Sequence, residues 1–383
     1  MKVCIASLVT LSALGVKNEA IWHNYCQQKP LFSLNHKQQH VSRLENTEKQ
    51  AIKQLQASTK KYKKLDNTVL YALFTARKAL QQSQWQTSDF GINMSSSRGA
   101  TTLFEKYHTD YKQHKKLSSL VSPNTTLGNI SSWLAHDLNS QGFVISHSIT
   151  CSSAFAAIAN ACAWIKAGMS DKFMVGASEA PLTDFTIAQM QALGIYAKNT
   201  QQKYPCRALD FNKTQNSMVL AEATGIACLQ KQQNKQTLAL ITGIGYGTEI
   251  LSHNTSLSTD AKCLQKSMQM ALANTKPSNI DIIVTHTPGT LLGDAAEHQA
   301  IKNIFGKKIP ALTCNKWQVG HALAASGMLS LQMALFMLQK QKFIATPFYK
   351  PHNTPQKITH ILINSVGFGG NAVSLLISTA NQT

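Results

Sequence analysis

Acidic residues are scarce in this chain: 18 Asp plus Glu face 37 Lys plus Arg, a formal net charge of +19 over 383 residues. A field of that sign steers in anionic partners, whether nucleic acid, an anionic membrane surface or an acidic protein. Nucleic acid lacks support, because the lysines are spread along the chain and there is no zinc-ligand spacing, helix-turn-helix cue or aromatic RNA-binding signature. No CxxC pair occurs among the eight cysteines (4, 26, 151, 162, 206, 228, 263, 314), which argues against a zinc site or a compact disulfide framework and fits a reducing, cytoplasmic compartment. Long apolar runs are missing too. None reaches the roughly 20 residues of a spanning helix, so a soluble protein without a membrane span is expected. The opening "MKVCIASLVTLSALGVKNEA" has the basic start and apolar run of a secretory signal, yet it lacks a small-x-small cleavage site and reads as a first buried strand.

What is present is enough apolar residue, 43%, for a sizeable core in two domains or one duplicated one. Residues 28–66 are polar and rich in Lys and Gln, as expected of surface loops and a solvated helix. The spacing then predicts a helix over "NTVLYALFTARKALQQS", a strand at "FGINMSSS", a strand at "GFVISHSI", a helix from Ser152 to Ala167, and strands at "KFMVGASEA" and "TGIACLQ". A new cycle opens near "LALITGIGYGTEI" and closes with the strand "ITHILINSVGFGG". Alternating strands and helices predict an α/β fold with a mostly parallel sheet covered on both faces, and each half begins with its own strand, a hint of duplication.

Cys151 stands at the corner between a strand end and a small-residue helix, in "SITCSSAFAAIANACAWIKAG". On that helix Phe155, Ile158, Ala159, Cys162 and Ile165 follow the spacing of a buried stripe, so Cys162 belongs to the core. Cys162 also lies about 16 Å along the axis from Cys151, too far for a disulfide. An open thiol at a helix N-terminus would sit where backbone N–H groups favour the thiolate, and the small polar "CSS" leaves room there for another molecule. A buried one would be only a small hydrophobe.

A thiol nucleophile needs histidines and an oxyanion hole in space. "IIVTHTPGT" puts His286 just past an apolar strand, "NKWQVGHALAASG" puts Lys316 and His321 ahead of a small-residue helix, and "NSVGFGG" supplies a turn able to approach a ligand closely. A capping histidine, a solvated lysine and an ordinary turn are the plain alternatives.

In order, "TCSSA", "THTPGTLLGDAAEHQAIKNIFG", "NKWQVGHALAASG" and "NSVGFGG" resemble the active-site segments of the β-ketoacyl-acyl carrier protein synthases, and "VGASEA", "YPCRALDF" and "LAEATG" extend the likeness over nearly the whole chain. Chain-initiating relatives carry Cys-His-Asn, whereas this chain has "GH" at the third position, so the resemblance is to elongating ketosynthases. It implies a thiolase fold of duplicated halves in a five-layer αβαβα arrangement. Residues 1–230 would carry Cys151, and residues 231–383 would carry His286 and His321.

The resemblance further implies an acyl-cysteine at Cys151, an oxyanion hole from the N–H groups of Cys151 and Phe368, and enolate stabilisation by His286 and His321, with Lys316 tuning the electrostatics. Phe368, flanked by Gly367 and Gly369, would gate the acyl pocket, and Thr290 would touch pantetheine. The partner would be an acidic acyl carrier protein, docking on Lys60, Lys63 and Lys64 of "KKYKKLD" and on Arg207. No metal or redox cofactor is implied. The family's usual state is a dimer, here a homodimer or a pair with a paralogue.

Four departures stand out. Pro288 replaces a pantetheine-binding threonine, Ser330 stands nine after His321 where relatives have a glutamate linked to the lysine, "KTQNSMVLAE" replaces the usual R-D-G segment, and "GFGGNA" is one residue short. They suggest a specialised synthase, similar in "SPNTTLGNISS" and "AWIKAG" to enzymes of aryl polyene or flexirubin pigment clusters. A chain-length-factor-like partner subunit, a thiolase and a cysteine hydrolase are the rival readings.

Overall fold

The computed structural model describes residues 2–198, 203–251 and 257–380. The first half runs β1 (Val3–Leu11), α1 (Asn18–Gln27), β2 (Ser33–Leu34), β3 (His40–Val41), α2 (Asn46–Ala57), α3 (Asn67–Ser83), β4 (Gly91–Ser95) and α4 (Thr101–His114). It continues through α5 (Val121–Thr125), α6 (Asn129–Leu138), β5 (Val144–His147), α7 (Ser153–Lys166), β6 (Lys172–Glu179), α8 (Asp184–Ala192) and β7 (Ala223–Gln230). The second half has β8 (Ala239–Thr248), α9 (Lys262–Ala271), β9 (Ile282–Val284), α10 (Leu291–Phe305), β10 (Ala311–Thr313), α11 (Lys316–Val319), α12 (Ser326–Lys340), β11 (His360–Gly367) and β12 (Asn371–Ser378).

Local chemistry explains several of these elements. β1 is nine apolar or small residues, all buried, which suits a strand covered on both faces. α3 starts where expected because Asp66 caps it, its Oδ1 accepting the Thr68 N–H at 2.8 Å, and it stops where Gln84 turns left-handed at φ +55°.

The strand order is β10-β9-β11-β12-β8-β1-β7-β6-β4-β5. From β1 outward the neighbours are β7, β6, β4 and β5, joined by two antiparallel then two parallel pairings. From β8 outward come β12, β11, β9 and β10, in the same sequence of pairings. The two halves therefore repeat one topology, and they meet where Val3, Cys4 and Ile5 of β1 face Ile241, Leu240 and Ala239 of β8.

The sheet is mixed rather than mostly parallel. One reason is β12, which the sequence pattern had not separated from β11. The turn between them contains Gly369 and Gly370 with φ of +85° and +70°, and such a tight reversal leaves only antiparallel pairing.

Three apolar clusters divide the molecule into five layers. One lies between the first-half sheet and α2, α3 and α6; one, holding α7 and α12, lies between the two sheet halves; one lies under α9 and α10. On α7, Phe155, Ile158, Cys162 and Ile165 are buried in the central layer, each Phe or Ile contributing about 1.5–3 kcal/mol. That layer holds the α7 N-terminus opposite the end of β11 and the start of α12, where the site forms.

Candidate active site

Cys151 follows a strained turn. Thr150 has φ +57°, a left-handed conformation that a β-branched residue adopts only under constraint. The constraint is local: the Ser153 hydroxyl donates to Thr150 O at 2.5 Å and accepts the Ile149 N–H at 2.8 Å, while the Ser152 hydroxyl donates to Ile149 O at 3.1 Å. Both serines are fully buried, so "CSS" ties down the elbow instead of leaving space for a ligand. From the other side, Ser365 Oγ donates to Cys151 O at 3.1 Å. Gly367 permits that approach, since a Cβ there would fall 1.9 Å from Thr150 Oγ1.

The thiol is buried, only 6% exposed, and burial decides its charge. Desolvation, reinforced by Glu179, pushes Cys151 up to about 12 against the opposing pull of Lys316 and of its own backbone N–H. The helix N-terminus does not win here, and the resting group is a thiol.

His321 reaches that thiol across 170 residues, with Nε2 at 3.2 Å from Sγ. Its backbone is fixed by hydrogen bonds to Val219 O at 2.7 Å and from Ala221 N at 3.1 Å, and Nδ1 meets Ser326 Oγ at 2.8 Å. A hydroxyl both donates and accepts, so Ser326 supports either neutral tautomer of the ring. The small-residue helix expected after His321 begins only at Ser326. Gly320 at φ +72° and Leu323 at φ +46° break the chain between α11 and α12, which frees the histidine to face Cys151.

His286 stands perpendicular to His321, with ring centroids 5.2 Å apart and an interplanar angle of 83°. Its loop is clamped by two carboxylates of α10. Glu297 accepts the N–H groups of His286 and Thr287 at 2.9 and 2.8 Å and the Asn364 amide at 3.0 Å. Asp294 accepts those of Gly289 and Thr290 at 3.0 and 3.2 Å, and pairs with Lys213. Lys316, 1% exposed, is buried rather than solvated, with the Glu297 carboxylate and the thiols of Cys314, Cys151 and Cys206 as its electrostatic neighbours. Ser330 is buried on α12, so the acid that faces Lys316 comes from α10. Burial and the Lys316 charge hold both imidazoles well below the ordinary histidine value, which keeps them neutral.

Cys151, His286 and His321 open onto one cavity of about 440 Å³, with Pro288, Thr290 and Phe368 at its wall and Met190, Met218 and Leu323 among its apolar lining. A buried thiol and two neutral imidazoles lining one cavity, with a buried lysine within electrostatic reach, can form a thioester and stabilise an enolate.

Residues 2–235 match the β-ketoacyl synthase N-terminal domain family and residues 238–349 the β-ketoacyl synthase C-terminal domain family. The chain belongs to the β-ketoacyl synthases. It is therefore a condensing acyltransferase by family. Among similar proteins are a 3-oxoacyl-[acyl-carrier-protein] synthase 2 of Staphylococcus aureus, 25% identical over 343 residues and 82% of both chains, and a 3-oxoacyl-[acyl-carrier-protein] synthase 1 of Buchnera aphidicola, 26% identical over 342 residues, again 82% of both. The fold is shared with a β-ketoacyl synthase from Burkholderia phymatum (TM-score 0.85, 17% identity, 99% and 100% of the two chains). It is shared with a chain of the complex between a type II PKS acyl-carrier protein and its ketosynthase (0.85, 21%, 99% of both). A chain of a ketosynthase with its chain length factor from Xenorhabdus doucetiae also has it (0.79, 20%, 99% and 98%).

In this synthase Cys151, His286 and His321 line the cavity together with Gly367, Phe368 and Thr290, while Lys316 is buried within electrostatic reach of all three; Gly369 lies in the adjoining β11–β12 turn. The candidate docking residues do not. Lys60, Lys63 and Lys64 are exposed between α2 and α3, linked to α5 through the Asn124 amide on Lys64 O. Arg207 is already ion-paired with Asp210 and lies 5.6 Å over the Phe348 ring. Sequence reasoning missed Glu297, Asp294, Ser326 and Glu179. The two acids stand three apart in the first turns of a helix that follows a histidine loop, a pattern that could have marked them as loop anchors. Ser326 and Glu179 carried no such signal. No helix among the described residues is long and apolar enough to cross a membrane, and none of the eight cysteines forms a disulfide.

Proposed function

We propose that this chain is an elongating β-ketoacyl-acyl carrier protein synthase that joins an acyl group held on Cys151 to a malonyl unit held on a carrier protein. The observation that carries this reading is the 3.2 Å contact between Cys151 Sγ and His321 Nε2, with His286 at right angles beside it. Sγ attacks the thioester carbonyl of the incoming acyl carrier, and its proton passes to His321 Nε2 and on to the departing pantetheine thiolate. The N–H groups of Cys151 and Phe368 stabilise the oxyanion.

In the second half-reaction the malonyl thioester loses carbon dioxide. His286 and His321, neutral and able to donate, stabilise the enolate oxygen, while Lys316 provides the fixed positive field. The enolate carbon attacks the acyl-cysteine carbonyl, the C–S bond breaks, and the β-ketoacyl product leaves on the second carrier as the Cys151 thiolate takes up a proton from solvent, the one proton the whole reaction consumes. The protein's own groups suffice for each step, without a metal or redox cofactor, and phosphopantetheine arrives with the carrier.

The charge of +19 suits an acidic carrier protein as partner, with Lys60, Lys63 and Lys64 as its contact and Arg207 held near the loop of Pro288. β5 is an edge strand with Phe143 and Ile149 exposed beside it, and we place the second subunit, a copy or a paralogue, along that edge. Pigment-type polyene assembly is the pathway class that the segments around Pro123 and Trp164 suggest.

Condensation of an acyl carrier with malonyl carrier tests the reading. Wild type forms β-ketoacyl product and Cys151→Ala forms none; equal turnover by both would instead favour a chain-length-factor-like partner subunit.

A further inference from the structure

Glu179 closes β6 and is fully buried. Its Oε1 accepts the backbone N–H of Ser97, in the loop after β4, and that of Ala324 at 3.3 Å. Ser97 Oγ accepts the same Ala324 N–H at 3.1 Å, so the carboxyl and the hydroxyl grip one point together. That point lies between His321 and Ser326, the residue that holds the ring's Nδ1, and next to Leu323, whose φ of +46° needs an external restraint. Oε2 makes no hydrogen bond, although the Ser96 and Ser97 hydroxyls lie within electrostatic reach of the carboxyl. An ionisable group left half-paired in a closed interior is costly, and two backbone N–H groups do not require it, since an amide oxygen would accept them equally.

Its charge is felt at the nucleophile. The ionisable groups around Cys151 are His321 in contact with Sγ, His286 against His321, Lys316 and Glu179. Of these Lys316 favours the thiolate, Glu179 opposes it, and the imidazoles are neutral. The same burial pushes the Glu179 carboxyl up to about 7.

We propose that Glu179 is a positioning residue of the condensing site, holding the His321–Ser326 turn against the loop after β4 and adding a buried acidic group beside the contact between Cys151 and His321. The proposal rests on the reading of Cys151 as the nucleophile.

The test is the rate at which iodoacetamide alkylates Cys151 in the full-length protein across a range of pH, read by peptide mass spectrometry so that exposed Cys26 is scored separately. Glu179→Gln keeps an acceptor for both N–H groups and removes the charge. It should alkylate several-fold faster than wild type at neutral pH, because the acid no longer opposes the thiolate. Glu179→Asp should return the rate to the wild-type level while lowering kcat, because the shorter side chain loosens the turn. A Gln variant of unchanged melting temperature whose alkylation is no faster than wild type overturns the proposal. If the Gln variant does not fold, the Asp variant decides: wild-type alkylation with reduced kcat and unchanged KM supports the proposal, and faster alkylation overturns it. Failure of wild-type Cys151 to accept an acyl group would remove the functional reading but leave the alkylation comparison intact, so the two failures are distinguishable.

Discussion

Lys213 and Asp294 form an ion pair at 2.8 Å, side chains 3% and 0% exposed, beneath the loop that carries His286. Asp294 spends its remaining lone pairs on the backbone N–H groups of Leu209, Gly289 and Thr290. The pair thus fastens residues 206–213, in the connection between α8 and β7, to the histidine loop. Lys213→Ala leaves a buried carboxylate without its cation and should cost about 3 kcal/mol of stability. Urea unfolding checks this, and an unchanged midpoint would show that the carboxyl is satisfied without the lysine.

His321 touches the thiol, and the proposed chemistry gives the enolate to both His286 and His321. His286→Ala should lower malonyl decarboxylation by about 10²–10³-fold and leave Cys151 acylation intact. His321→Ala should slow both, since its Nε2 is the group within 3.2 Å of Sγ. Single-turnover acylation and carbon dioxide release, measured separately, distinguish the two. Equal effects of both variants on acylation would contradict the assignment.

The histidines also predict a pH profile. Burial depresses both, so each remains neutral as the pH falls through 6.5, the ordinary histidine value, and gains its proton only well below it. Decarboxylation by the folded enzyme should therefore stay level from neutral pH through 6.5. A loss of rate with a midpoint near 6.5 would mean that a solvated histidine governs the step.

Much of this site was legible because its chemistry sits in short segments. Cys151, His286, Lys316 and His321 each lie at the junction of a predicted strand or small-residue helix, and α3 was legible from the spacing of its apolar residues. What escaped was long-range. Glu297 acts on His286 only because α10 folds back over its own loop, and Glu179 reaches Ala324 only because β6 and the start of α12 meet across the central layer. The antiparallel pairing of β12 was hidden by the continuous apolar pattern on either side of its glycine turn, and the serines after Cys151 were misread because their hydrogen bonds run backward to Ile149 and Thr150.

Exposed Lys60, Lys63 and Lys64 predict a binding effect separable from chemistry. Replacing all three by Ala should raise KM for a carrier-bound acyl donor several-fold with little change in kcat, and should flatten the dependence of kcat/KM on ionic strength. A free pantetheine thioester should be used as before. A fall in kcat with an unaltered salt response would assign these lysines to the fold instead.

The most direct test of the account is peptide mass spectrometry after incubation with carrier-bound acyl donors of several chain lengths. The account predicts a single acyl adduct on Cys151, discharged when malonyl carrier is added. Malonyl turnover to β-ketoacyl product with Cys151 unmodified, or with the acyl group on another residue, would contradict it.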